Sequence, residues 1–223
     1  MPLKFAKFKG IKLINFACNK INDKGIKVLS NLEFKDLKEL NLFGNRFRNY
    51  NFFRFNKDNN SYDNLKILFI GQNYFEKNKN NIKEKYEFPF LKTIGLSRGV
   101  FNDKTIFLIK NFIFSKLENL YLSDNGLNKI SFVNELELPS IKKIVLNQNN
   151  IDEFKSLMKY KKTIEEIEIK DNCIINIDYF EDFINECTKL TSISLNQNEI
   201  DLNNDFNQKI IKNIRNKGIR VDV

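Results

Sequence analysis

The stretch LKELNLFGNRF, residues 37–47, decides the fold. Its apolar residues Leu37, Leu40, Leu42 and Phe47 stand at positions 1, 4, 6 and 11 of a frame with Asn45 at position 9. Positions 4 and 6 are two apart, so on a strand both side chains leave by the same face. Asn45 falls where the chain leaves that strand. An amide there can bond backbone groups that would otherwise be buried without partners.

The same frame recurs in both directions. Ile11, Ile14, Phe16, Asn19 and Ile21 precede it; Leu65, Leu68, Ile70, Asn73 and Phe75 follow. A weaker copy is Leu91, Ile94, Leu96, Gly99 and Phe101. Then come Leu117, Leu120, Leu122, Asn125, Leu127 and Ile141, Ile144, Leu146, Asn149, Ile151. The last copies are Ile164, Ile167, Ile169, Asn172, Ile174 and Leu190, Ile193, Leu195, Asn198, Ile200. Position 9 moves from 19 to 198 in seven steps, about 25.6 residues each. Such a period is the mark of a solenoid in which each unit buries its face against the next.

This pattern resembles the leucine-rich repeat, and the resemblance covers nearly the whole chain as one domain, residues 1–223. It implies an α/β solenoid: a curved parallel β-sheet on the concave face, with mixed helices and turns on the convex face. About eight repeats and a C-terminal strand are expected. The Asn-Asp-Lys-Gly at 22–25 is similar to the ribonuclease-inhibitor-like subclass, though steps of 24 and 23 late in the chain are short for it. Asn19, Asn45, Asn73, Asn125, Asn149, Asn172 and Asn198 form the expected structural ladder. Gly99 breaks it, so a changed turn geometry or a bridging water is expected there.

Helical spacing on the convex side is expected at 24–32, at 178–188 through Phe180, Phe183, Ile184 and Cys187, and at 205–216 through Phe206, Ile210, Ile211 and Ile214. Ile219, Val221 and Val223 fit strand positions of a ninth repeat, with Ile219 one ordinary step beyond Ile193. Neither terminus carries an evident dedicated cap.

Composition narrows the chemistry. The chain holds no His and no Trp, which removes the commonest general base and the commonest metal ligand. Three widely spaced cysteines, Cys18, Cys173 and Cys187, make neither a disulfide framework nor a CxxC pair. They read as reduced thiols of an intracellular, cytoplasmic protein. Residues 1–10 alternate Lys with Phe and do not resemble a secretory signal, and no window is apolar enough to span a membrane. No Gly-rich phosphate loop, nucleophile elbow or metal motif is present. Neither catalytic residues, nor a metal, nor a cofactor are expected.

Function should therefore lie on the sheet face, where the resemblance puts the binding surface. Position 5 gives Asn15, Asn41, Phe69, Gly95, Tyr121, Val145, Glu168 and Ser194; position 7 includes Phe43 and Gly71. Phe43, Phe69 and Tyr121 serve either as interface anchors or as shields over neighbouring strands. Lys12, Lys38, Lys66 and Lys92 hold position 2 in succession and would form a basic rail, unless they serve only solubility. Arg98 at position 8 completes the candidate surface: Lys38, Phe43, Lys66, Phe69, Lys92, Arg98 and Tyr121. Glu165, Glu166 and Glu168 make an acidic patch rather than a catalytic pair, since no cleft is expected around them.

Charge is uneven as well. Residues 1–112 carry 22 Lys+Arg against 10 Asp+Glu, a net of +12, while residues 113–223 carry 15 against 18, a net of −3. Basic and aromatic residues interleave at 46–57. The expected partner is another protein with an acidic patch, not a small-molecule substrate. A nucleic acid or anionic membrane held by the basic half is the alternative.

Overall fold

Strands recur once per repeat because the frame places two apolar side chains on one face of a short extended segment. The computed structural model describes residues 9–30, 32–48, 63–75, 85–99 and 106–223. In chain order its strands are β1 (Leu13–Asn15), β2 (Glu39–Asn41), β3 (Ile67–Phe69), β4 (Tyr86–Glu87) and β5 (Thr93–Gly95). They continue with β6 (Phe112–Ile113), β7 (Asn119–Tyr121), β8 (Lys143–Val145), β9 (Glu166–Glu168), β10 (Ser192–Ser194) and β11 (Arg220–Asp222). Nine of them build one parallel sheet in the order β1-β2-β3-β5-β7-β8-β9-β10-β11. Position 4 stands opposite position 4 throughout: Leu40 against Leu68, Ile94 against Leu120, Ile167 against Ile193. This is the leucine-rich-repeat solenoid, and it carries the expected eight repeats and closing strand.

Register follows from burial, since a one-residue slip would turn every apolar residue of a strand outward. Positions 1, 4 and 6 are buried in nearly every copy. The first repeat is the exception: Ile11 is only half-buried and Phe16 is 38% exposed, while the equivalent Leu42, Ile70, Leu96 and Leu122 are at 0%. Position 8 shows a second regularity. All eight residues there are left-handed: Cys18 (φ 56), Gly44 (68), Gln72 (51), Arg98 (69), Asp124 (56), Gln148 (57), Asp171 (53) and Gln197 (62). The turn lets the position-8 N–H donate to the position-7 carbonyl of the next repeat, as Cys18 does to Phe43 and Gln72 to Ser97. That gain offsets the usual cost of a non-Gly residue in this region.

The asparagines work from inside the turn. Asn149 Nδ2 donates to Leu122 O and Leu146 O, and its Oδ1 accepts from Asn125 N and Leu127 N. Asn45, Asn125, Asn172 and Asn198 likewise tie their own turn to the preceding repeat. Asn19 is exposed and donates only within its own turn, to Phe16 O and Ala17 O. At the missing rung, Arg98 and Gly99 are left-handed in succession (φ 69 and 72), and Gly99 N donates to Asp124 O. The turn geometry changes there, and Leu96 O keeps Asn125 Nδ2 as a donor.

The convex side is mixed. Helices α1 (Asp23–Ser30), α2 (Phe180–Glu186) and α3 (Asp205–Asn216) lie in the outer repeats. Between them Ile106–Asn111, Ser131–Glu135 and Lys155–Tyr160 are 3₁₀ turns. Phe180, Phe183, Ile184 and Cys187 are all buried, and burial pushes the Cys187 thiol up to about 11. The 3₁₀ turns are pinned by side chains: Tyr160 donates to Val133 O at 2.8 Å, and Tyr179 Oη accepts from Phe154 N at 3.0 Å. Burial raises the pKa of both phenols, which keeps them protonated.

Two expectations need correction. Phe206 does not join the core face of α3; it is 53% exposed, and Asn207 is buried in the first turn instead. The cause is the cap: Asn204 Oδ1 accepts from Phe206 N and Asn207 N, and Asn207 Nδ2 turns inward to Asp201 O. In the ninth repeat Val221, not Ile219, registers with Ile193. The twelve residues of α3 and the left-handed Gly218 (φ 79) lengthen that step to 28, the same as from Asn45 to Asn73. Ile219 stays on the buried face because it is two residues away. The frame also did not reveal β4 and β6, a separate parallel pair flanked by Phe88 and Phe114, with the Tyr86 and Phe112 rings 6.0 Å apart.

Candidate sheet-face interface

Positions 3, 5 and 7 of stacked strands form the outward face of the sheet, with position 2 along one rim and position 8 along the other. In the first repeats this face is aromatic and rests on glycine. Phe69 and Gly95 share position 5 in adjacent strands. A Cβ on Gly95 would lie 2.2 Å from Phe69 Cδ1 and 2.8 Å from Cε1, so the ring edge fills the place of a side chain. Phe43 leans the same way over Gly71, whose added Cβ would meet Phe43 Cδ2 at 3.2 Å and Ser97 O at 2.3 Å. Tyr121 closes the far side of Gly95, its ring 6.4 Å from that of Phe69. Arg98 reaches across from the other rim to 5.7 Å over the Phe43 ring.

Phe43, Phe69 and Tyr121 are therefore brought into one half-buried floor. Each covers backbone and still presents ring surface to solvent, so shielding and anchoring are not exclusive. The adjacent glycines were visible in the sequence. Placing Gly95 beside Phe69, and Gly71 beside Phe43, needed only the strand register.

The position-2 rail changes character halfway. Lys12, Lys38 and Lys66 are exposed and have no carboxylate in ion-pair range among the described residues. Lys92 begins a paired row: Lys92 to Glu118 at 2.8 Å, Lys142 to Glu118 at 3.9 Å and to Glu165 at 4.0 Å. The hydrogen bond from Lys92, with the fields of Lys92 and Lys142, holds the Glu118 carboxyl below its ordinary value against the opposing effect of burial.

Positions 3 and 5 of the second half are paired too. Lys143 sits 2.9 Å from Glu166 and 2.5 Å from Glu168, and Asn147 Nδ2 donates to Glu168 at 3.1 Å. Partial burial works against both charges. The hydrogen bonds and fields nonetheless leave Lys143 above and Glu168 below their ordinary values. The acidic patch at Glu165, Glu166 and Glu168 is thus a lattice of ion pairs, open on one side.

Counting charges at positions 2–8, the first four repeats carry five cations (Lys12, Lys38, Lys66, Lys92, Arg98) and one acid, Glu39. The last four carry three cations and six acids. Of the basic and aromatic stretch 46–57, residues 49–57 lie outside the described residues. Phe47 is core, 5.3 Å from the Phe75 ring, and Arg46 and Arg48 are exposed. Among the described residues no group of three or more His, Cys, Asp or Glu could hold a metal ion. No helix among them is long and apolar enough to cross a membrane.

One solved structure agrees on the architecture. A leucine-rich-repeat protein of Leptospira interrogans superimposes over 96% of this chain with a TM-score of 0.51 and 17% identity. The chain spans 61% of the length of that protein. Internalin C2 of Listeria monocytogenes matches over 86% of this chain and 74% of its own, at a TM-score of 0.45 and 13% identity. At that identity the Leptospira likeness speaks for the fold alone. No family model and no curated protein matches the sequence.

Proposed function

We propose that the chain is a non-catalytic binding module that holds a protein partner on its sheet face. The footprint is centred on Phe43, Phe69 and Tyr121 and bordered by Lys38, Lys66, Lys92 and Arg98. The observation that carries this reading is the aromatic floor laid over Gly71 and Gly95, beside Lys12, Lys38 and Lys66, which have no counter-charge among the described residues. Rigid rings on a sheet offer apolar area with little rotamer entropy left to lose, the usual chemistry of an interface anchor. Nine strands about 4.8 Å apart give a face roughly 38 Å long, enough for a standard interface. The free Cys18, Cys173 and Cys187 suit a reducing, cytoplasmic setting.

The net charge of +9 favours one other reading, capture of nucleic acid or anionic membrane by the basic half. Pull-downs at about 100 and 400 mM salt separate the two. On the protein reading a partner survives high salt and is lost from Phe43→Ala/Phe69→Ala/Tyr121→Ala. Release of nucleic acid or lipid by salt, with the triple variant behaving as wild type, replaces that reading with the other.

A further inference from the structure

The polar atoms beside the aromatic floor are already committed in one direction. Asn15 Oδ1 accepts from Ala17 N and Asn41 Oδ1 accepts from Phe43 N, both at 3.0 Å. The carbonyl ends of both amides are held by the local backbone, and neither NH2 group has an acceptor among the described residues. Asn15 and Asn41 are paired neighbours in β1 and β2, so two donors sit one strand apart. Along the rim, Lys12, Lys38 and Lys66 add three ammonium groups in successive repeats, without counter-charge among the described residues. Between rim and amides lies apolar surface at Leu13, 58% exposed, and Ile67, and Phe69 continues the row of the amides.

Glu39 is the odd group. It stands between Leu13 and Ile67 at position 3, paired with both in register, and no ion pair engages it among the described residues. A carboxylate in the middle of a donor-rich face asks for a ligand that brings N–H donors as well as negative charge. A polyphosphate backbone brings acceptors only and would meet Glu39 as a like charge. A flat bilayer cannot follow the inner surface of a solenoid. A polypeptide meets all three demands: carboxylates for the lysines, main-chain N–H for Glu39, and a side chain for the floor.

We infer that the sheet face of the first four repeats takes an extended acidic peptide segment laid across β1, β2, β3 and β5. Its carboxylates face Lys12, Lys38 and Lys66, its main chain passes over Glu39, Asn15 and Asn41, and an aromatic or branched apolar residue rests on Leu13, Ile67 and Phe69. The second half of the face takes no part, because Lys142 and Lys143 are already paired with glutamates and its acids outnumber its cations six to three. This rests on the reading of the sheet face as a protein-binding surface.

The test is selection of random peptides of about twelve residues, more than enough to cross four strands, on the whole immobilised chain. Fluorescent winners are then titrated by anisotropy at about 150 mM salt. The expected winners are enriched in Asp and Glu and carry at least one aromatic or branched apolar residue. Lys38→Glu/Lys66→Glu should weaken them about tenfold or more, while Lys209→Glu/Lys212→Glu on the exposed side of α3 should not. Recovery of no acid-bearing peptide, or indifference to Lys38→Glu/Lys66→Glu, overturns the inference. If the recovered peptides are then still lost from Phe43→Ala/Phe69→Ala/Tyr121→Ala, the sheet-face reading stands without it; if that variant binds as wild type, both fall. Labelled oligo-dT or phosphatidylserine vesicles that bind at the same salt through Lys38 and Lys66, where no peptide does, also overturn it.

Discussion

The two halves of the solenoid share one backbone and differ in what they put on it. From β1 to β5 the face sets apolar and aromatic residues among Asn15, Asn41 and Glu39, with cations at its rims, and Tyr121 of β7 closes it; from β8 to β10 it is a lattice of Lys–Glu pairs and amides. Backbone hydrogen bonding is the same on both sides of the boundary, so the difference is one of side chains alone. Covering the first half removes apolar area from water and gives lone ammonium groups a counter-charge. Covering the second would desolvate ion pairs that already have their partners, at little net gain. A repeat protein can thus confine its footprint without changing its fold, by letting part of its surface satisfy itself.

The asparagine ladder gives the largest expected effects, and it sets Asn73 apart, since Asn45 in the first half both donates and accepts as Asn149 does. Asn149 makes both kinds of bond: it donates to Leu122 O and Leu146 O, and it accepts from Asn125 N and Leu127 N. Asn73 donates to Leu42 O, Ile70 O and Gly71 O, but its buried Oδ1 has no partner among the described residues. Replacing Asn149 by Ala strands two donors and three acceptors, Asn147 O among them, and should cost about 3–4 kcal/mol; Asn73→Ala strands acceptors alone and should cost about 1–2 kcal/mol. Urea unfolding of the two variants checks the order. Equal costs would mean that the turn of the third repeat is held as firmly as that of the sixth.

The glycines of the floor come next. A Cβ at Gly71 meets backbone, Ser97 O at 2.3 Å, and strands of a nine-stranded sheet cannot part locally to admit it. The three atoms nearest to a Cβ at Gly95 all belong to the Phe69 ring, which can swing away. Gly71→Ala should therefore cost about 2–3 kcal/mol, and Gly95→Ala about 1 kcal/mol or less. Their effects on binding should be reversed relative to stability. Gly95→Ala leaves a folded protein whose Phe69 is displaced, so peptide affinity falls more than the melting temperature does. If affinity is untouched in a folded Gly95→Ala, the floor is not where the partner rests.

What could be read in advance follows from how each feature is encoded. The strands were legible because their apolar pairs repeat eight times, and each copy tests the register of the others. The left-handed position 8 was not: seven of its eight residues are Cys, Gln, Arg or Asp, and only Gly44 advertises the conformation. There the hydrogen bond to the next repeat sets the backbone, and the residue type follows no rule. The rail was legible as a row of lysines. Glu118 and Glu165 stand at the same position in neighbouring repeats, so the partners were legible as well; the separations of 2.8 to 4.0 Å that make them ion pairs were not. Phe206 was misplaced although the helix bounds were right: it stands four residues before Ile210, a helical spacing, but the buried face runs through Asn207, Ile210, Ile211 and Ile214, with Asn207 turned inward to Asp201 O.

The smallest expected effect tests the self-paired half directly. Glu168 is held below its ordinary value of 4.5 because the hydrogen bonds from Lys143 and Asn147, with the fields of Lys143 and Lys170, outweigh its partial burial. A carboxyl depressed by folding adds stability above its unfolded-state pKa and loses it as pH falls through the folded-state value. Lys143 is shifted the other way, so its contribution persists throughout acid conditions and fades only well into the alkaline range. Between about pH 5 and pH 3 the wild type should thus lose stability to protonation of Glu168, and Glu168→Gln should lose less. For a pair this open to water the difference is about 0.5 kcal/mol, measurable as a convergence of the two urea midpoints on acidification. Parallel midpoints would mean that the Lys143–Glu168 pair is loose in solution. The second half would then be as open to a charged partner as the first.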